Sequence, residues 1–264
     1  LNDGKVTTGT SITLNASGVI NQDGGSLGVG DNLTLNGTYN GNGGLLRGRS
    51  DGDNWAPNII VNSPTVYVYN FFDDGGTDVN PTILNGTQPL VVNNDVNINS
   101  GYFNANGKTI ILKGDWSDVN GTHTHNGGTV QFEGASQQTV NSNSSFGNVL
   151  IDNTGDLLLS DDMTIDNTAT FTSGIVNTNL NKVIFTSTAT SNVGTAISYI
   201  DGIAERTGTN SFTYPLGDYT TRDIGSGNQV YSIWAPITTD SGVSSGTTTI
   251  EYHFDNDDLN TWWY

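Results

Sequence analysis

The stretch "GGTVQFEGASQQTV", residues 127–140, decides how the chain is to be read. A glycine turn leads into Thr129-Val130-Gln131-Phe132, a second turn follows, and a polar run closes on Val140. In an extended strand Val130 and Phe132 project to one side, while Thr129, Gln131 and Glu133 project to the other. Strands this short, separated by turns this small, suit a sandwich or a coil that advances one strand at a time.

The same grammar recurs along the chain: "SITLNASGVI" (11–20), "NLTLNGTY" (32–39), "TVYVYNFF" (65–72), "LVVNNDVNIN" (90–99), "KTIILKG" (108–114), "NVLIDN" (148–153), "LLLSDDMTID" (157–166), "ATFTSGIVN" (169–177) and "KVIFTSTA" (182–189). Each alternates apolar with small polar residues between Gly, Asn or Asp, as strands between turns do. Two stretches repeat. Leu90–Asn99 aligns without gaps on Leu157–Asp166, and both are followed by Ser-Gly, an apolar pair and Asn, at 100–104 and 173–177. Imperfect repeats of strands and tight turns are the mark of a solenoid.

Composition agrees. Of 264 residues 34 are Gly and 13% are charged. Corners need Gly and Asn, which reach left-handed backbone angles cheaply, while stacked Asn and Thr can hydrogen-bond from coil to coil. The expected fold is all-β: a right-handed parallel β-helix over residues 1–194, followed by a cap or β-sandwich-like module over 195–264. An antiparallel sandwich is the competing fold. The boundary reflects longer strands, more aromatics and the landmarks Arg206, Pro215 and Pro236. Irregular loops are expected around 40–89, in "RGRSDGDNW" and "FFDDGGTD".

Lys and Arg total 8 against 26 Asp and Glu, a net charge of −18. That balance repels phosphate backbones and anionic headgroups, so nucleic acids and acidic membranes are poor partners; neutral glycans and divalent cations are better ones. Without cysteine, disulfides and thiolate metal sites are excluded. No apolar run approaches the length of a membrane-spanning helix, and "LNDGKVTTGT" lacks the basic and apolar parts of a signal peptide. A fragment of a larger secreted protein is the expectation.

"GDWSDVNGTHTHNGGTVQFEGASQQTV" (114–140), "FGNVLIDNTGDLLLSDDMTIDNTATFTSGIVNT" (146–178) and "YIDGIAERTGTNSFTYPLGD" (199–218) resemble, in that order, the repeat regions of large Bacteroidetes cell-surface proteins. Those proteins are exported by the type IX secretion system, and many are adhesins or gliding-associated. The resemblance spans roughly residues 90–218 and implies an extracellular, surface-anchored, non-catalytic repeat segment that meets the secretion machinery on export. It carries over no catalytic residues.

Individual sites are weighed against their structural uses. His123 and His125 sit two apart, a spacing that can bind zinc or copper on a strand face, but no third ligand is near. Asp51 and Asp53, or Asp73, Asp74 and Asp78, group oxygen ligands as calcium loops do, as does "DNDD" at 255–258, without matching the EF-hand spacing. Calcium is therefore a possible but not a required cofactor. Asp161-Asp162, and Arg47 and Arg49 beside Asp51 and Asp53, are the nearest approach to catalytic clusters. Adjacent strand carboxylates diverge, and no enzyme is expected. Trp55, Tyr67 and Tyr69 are the glycan-contact candidates, Tyr67 and Tyr69 sharing the face opposite Val66 and Val68; Trp116, Trp234, Trp262 and Trp263 could pack or stack. The functional expectation is a stiff display rod with repeated weak surface contacts. The alternatives are a carbohydrate-binding or polysaccharide-processing β-helix and a self-associating filament subunit.

Overall fold

The computed structural model describes residues 5–8, 10–48, 57–74, 80–223, 228–240 and 246–253. Among them no helix occurs; strands and turns wind into a β-solenoid of about 10 turns. Asp51, Asp53, Trp55, Asp78, the 255–258 run and Trp262-Trp263 lie outside the described residues.

Each coil contributes a strand to three faces. The first face begins with Ile12–Leu14, Asn32–Leu35, Asn58–Val61, Thr82–Gly86, Tyr102–Asn104 and Thr122–Thr124, paired in that order. The second carries Val66–Val68, Leu90–Val92, Thr109–Leu112, Thr129–Phe132 and the latter part of Phe146–Asp152. The third carries Asn70–Asp74, Val96–Ser100, Trp116–Ser117, Gln138–Asn141 and Leu157–Leu159. These neighbours are parallel throughout. On the second face the register advances by 20, 19 and 20 residues from Ile110 through Val130 and Val149 to Ala169.

Alternation along each strand becomes columns along the axis. Val68, Val92, Leu112, Phe132, Ile151 and Phe171 stack inside the second face, and Leu46, Phe71, Val96, Trp116, Val140 and Leu159 inside the third. All twelve are buried. A parallel ladder buries its inner residues only when consecutive coils agree in phase, so the register is fixed by the apolar set itself.

Corners carry the strained residues. Asn106, Asn126, Asp156 and Asn179 adopt positive φ, with Gly101, Gly107, Gly127 and Gly174 beside them in the winding. Amide ladders tie coil to coil: Asn58 Nδ2 donates to Asn32 Oδ1 at 2.8 Å, Asn85 to Asn58 at 2.7 Å, and Asn106 to Asn85 at 2.7 Å. The inward Gln138 donates to the carbonyls of Leu112 and Gly114 and accepts from Asn153 Nδ2 at 2.7 Å, which explains the polar closure of the opening stretch.

Parallel winding continues past residue 195. Ile200 and Asp201 pair in parallel with Val176 and Asn177, and with Leu216 and Gly217 on the other side. Strand polarity reverses only after Leu216. Asn228–Trp234 returns antiparallel along Leu216–Asp223 on the third face. Ile237–Thr239 then runs antiparallel to Phe212–Tyr214, and Thr247–Glu251 antiparallel to Ile203–Thr207 on the first face. The chain thus makes a U-turn and winds backwards over its own last coil. Arg206, expected to break the coil, stitches it: its guanidinium lies 4.3 Å from the Phe212 ring centroid and donates to the carbonyls of Thr186, Ser187 and Ala189.

Candidate binding face

The outward side of the second face repeats a short row. Thr109, Ile111 and Lys113 face out from one coil, Thr129, Gln131 and Glu133 from the next, and Asn148, Leu150 and Asp152 from the one after, because their intervening neighbours fill the core. Stacked on register, the central positions form one column: Asn40, Tyr67, Val91, Ile111, Gln131, Leu150 and Thr170. The flanking column is Thr109, Thr129, Asn148, Thr168 and Thr190.

Tyr67 and Tyr69 stand as the alternation requires. Val66 and Val68 are buried, Tyr67 is 40% exposed, and Tyr69 is half-buried at the corner where its carbonyl accepts the Asn94 N–H at 2.8 Å. Tyr67 sits between Asn40 and Val91 of neighbouring coils, and Val91 abuts Ile111. These aliphatic members escaped sequence reasoning. The signal was present in the unbroken triplets Leu90-Val91-Val92, Ile110-Ile111-Leu112 and Val149-Leu150-Ile151, because a strand with three apolar residues in a row must turn at least one outward, here the middle one.

The acidic candidates take other places. Asp73 and Asp74 occupy successive positions of one strand and diverge: Asp73 is fully buried and accepts Thr82 Oγ1 at 3.3 Å. Asp74 lies outside, accepting Ser100 Oγ at 2.7 Å and facing Arg47 at 3.6 Å. The structure does not bring this pair together as ligands of one ion. Among the described residues no three His, Asp or Glu side chains are grouped to hold a metal.

Corner aspartates instead hold the backbone of the next coil. Asp95 accepts the Asp115 N–H at 2.9 Å, Asp115 that of Thr139 at 2.7 Å, Asp156 that of Ile175 at 2.7 Å and Asp162 that of Lys182 at 3.0 Å. Asp161 accepts the Asp162 N–H at 2.8 Å, so that pair is absorbed in a corner beside Ser144 and Thr164.

The two histidines part company, correcting the shared-face expectation. His123 is buried, its ring 4.9 Å from Trp116 and 5.9 Å from Phe146, and neither ring nitrogen has a hydrogen-bond partner. Burial, reinforced by His125, pushes its pKa down to about 3. His125 lies past the strand end, where Nδ1 accepts the Gly127 N–H at 2.9 Å and Nε2 lies 3.0 Å from Asp166 Oδ2. Trp116 is core, and Trp234 donates Nε1–H to the Val193 carbonyl at 2.8 Å as part of the returning coil.

Neither a scan against protein-family models nor searches of curated proteins and solved structures finds a match to this chain.

Proposed function

We propose that the chain is an extracellular spacer-and-display segment of a bacterial surface protein, holding its outward columns clear of the cell at a fixed separation. The observation that supports this reading most directly is the unbroken parallel ladder, whose inner columns run without interruption from Leu46 to Leu159 and from Val68 to Phe171. Such a ladder resists bending because every coil is bonded to both neighbours over three faces. The ordered resemblance over residues 90–218 supplies the cellular setting, and the surplus of acidic residues suits solvent exposure.

The test uses the full-length protein in its native bacterium with an epitope inserted after Leu180, a corner residue 90% exposed. Antibody should label intact cells, and the label should vanish when cells are shaved with protease. Labelling only after lysis would overturn the reading.

A further inference from the structure

We propose that the outward side of the second face is a track for a neutral, linear polysaccharide lying along the solenoid axis. Three observations on this face converge.

The first is continuity of apolar surface. Outward apolar residues occur on the other faces, as Ile60, Phe72, Leu158 and Ile184, but each is isolated by polar neighbours in the coils on either side. On the second face Tyr67, Val91 and Ile111 form an unbroken apolar run over three consecutive coils, followed by the uncharged Gln131, Leu150 and Thr170. With coils spaced about 4.8 Å apart, the apolar run from Tyr67 to Ile111 is roughly 10 Å long, and the uncharged column continues past it to Thr170.

The second is absence of charge where charge is abundant. The central column and its flanking column contain no Asp, Glu, Lys or Arg across twelve positions, although the chain carries 26 acidic residues. Charged residues reappear only in the third column, as Lys113, Glu133 and Asp152. A charged partner would find no counter-charge on the track itself.

The third is the pairing of surface types. Beside the apolar column runs one of hydroxyls and an amide: Thr109, Thr129, Asn148, Thr168 and Thr190. From Asn40 to Thr170 each strand beneath the central column is paired on both sides, so a partner there meets side chains and cannot add as a strand. A flat, equatorially linked glycan offers the complementary pair, with C–H ring faces for the Tyr67–Ile111 run and edge hydroxyls for the threonines. The net charge of −18 repels acidic polysaccharides and leaves neutral ones.

The inference takes its biological setting from the extracellular reading above, but its test is carried out on purified protein and fails separately. Isothermal titration with cellobiose, cellotetraose and cellohexaose should give affinity that rises with length by about tenfold or more from two to six sugars, as additional coils are engaged. Tyr67→Ala and Ile111→Thr should each weaken the hexasaccharide about tenfold. Both lie on the solvent side, and their circular dichroism should match the parent. Carboxymethylcellulose should compete poorly. No binding of any of the three oligosaccharides, binding independent of length, or binding indifferent to both substitutions would overturn the track. So would a concentration-dependent dimer abolished by Ile111→Lys, which would assign the column to a second copy of the chain.

Discussion

At the scale of single residues, His123 shows what it takes to place a polar ring in a solenoid interior. It replaces an apolar rung beneath Phe103, is enclosed by Trp116 and Phe146, and remains neutral because burial removes the water that would solvate its charged form. The folded state therefore refuses a proton that the unfolded chain accepts below its ordinary value of 6.5. Stability from this residue is lost as pH falls from 6.5 towards 3, by roughly 2 kcal/mol at pH 5. Asp118 opposes it: burial raises its carboxyl pKa against the hydrogen bonds of Ser142, Ser144 and Asn143. Its contribution is present in acid and lost as pH rises through the raised value. A His123→Leu variant isolates the first effect. Urea denaturation should show the parent losing about 2 kcal/mol more than the variant between pH 7.5 and pH 5; parallel pH profiles would refute the neutral-histidine account. The two-residue spacing of His123 and His125 was plain in the sequence. That the second would fall beyond the strand end, bonded to Asp166 forty-one residues away, was not, since that contact depends on how every corner of the two intervening coils closes.

At the scale of strands and corners, alternation was fully readable. Thr129-Val130-Gln131-Phe132 faces as its pattern dictates, and the Asn and Gly corners adopt the left-handed angles their chemistry permits. The internal repeat tells a subtler story. Leu90–Val92 lies on the second face, whereas its aligned partner Leu157–Leu159 lies on the third. What recurs is a strand-and-corner unit, with Ser100-Gly101 and Ser173-Gly174 both turning at positive-φ glycines, and not a whole coil. Similarity between short segments reports local geometry. Face assignment depends on how many residues each intervening corner consumes, which no single segment encodes. The corners also differ in tolerance. An added Cβ at Gly174 would sit 1.9 Å from the Asn153 carbonyl oxygen, while one at Gly127 meets nothing within 4 Å. Gly127→Ala should therefore cost about 1–2 kcal/mol from backbone angle alone, and Gly174→Ala distinctly more, measured by thermal or urea unfolding. Equal losses would mean that the corner at 174 can open.

At the scale of the molecule, the end of the winding was only partly legible. The arginine and proline landmarks marked a change after residue 195, but an antiparallel return depends on pairing between segments such as Ile203–Thr207 and Thr247–Glu251, whose partnership leaves no trace in either one. The returning coil places Ile237 and Ile250 over the last rungs. It thereby closes a parallel edge that would otherwise recruit another chain. Replacing Ile250 with Asp should loosen that closure and produce oligomers by light scattering at concentrations where the parent is monomeric. An unchanged mass would mean that the return strand is held by its backbone pairing alone.

The reversal at the C-terminal end also separates length from termination. Because the stop is made by the last coil and its mirror-running return, excising one complete circuit from the middle, such as residues 129–147, leaves the stop intact and brings like phase against like phase. Gene duplication or loss in units of one circuit would then lengthen or shorten the molecule by about 4.8 Å at a time, so that reach becomes a heritable quantity adjustable in equal increments without redesigning any contact.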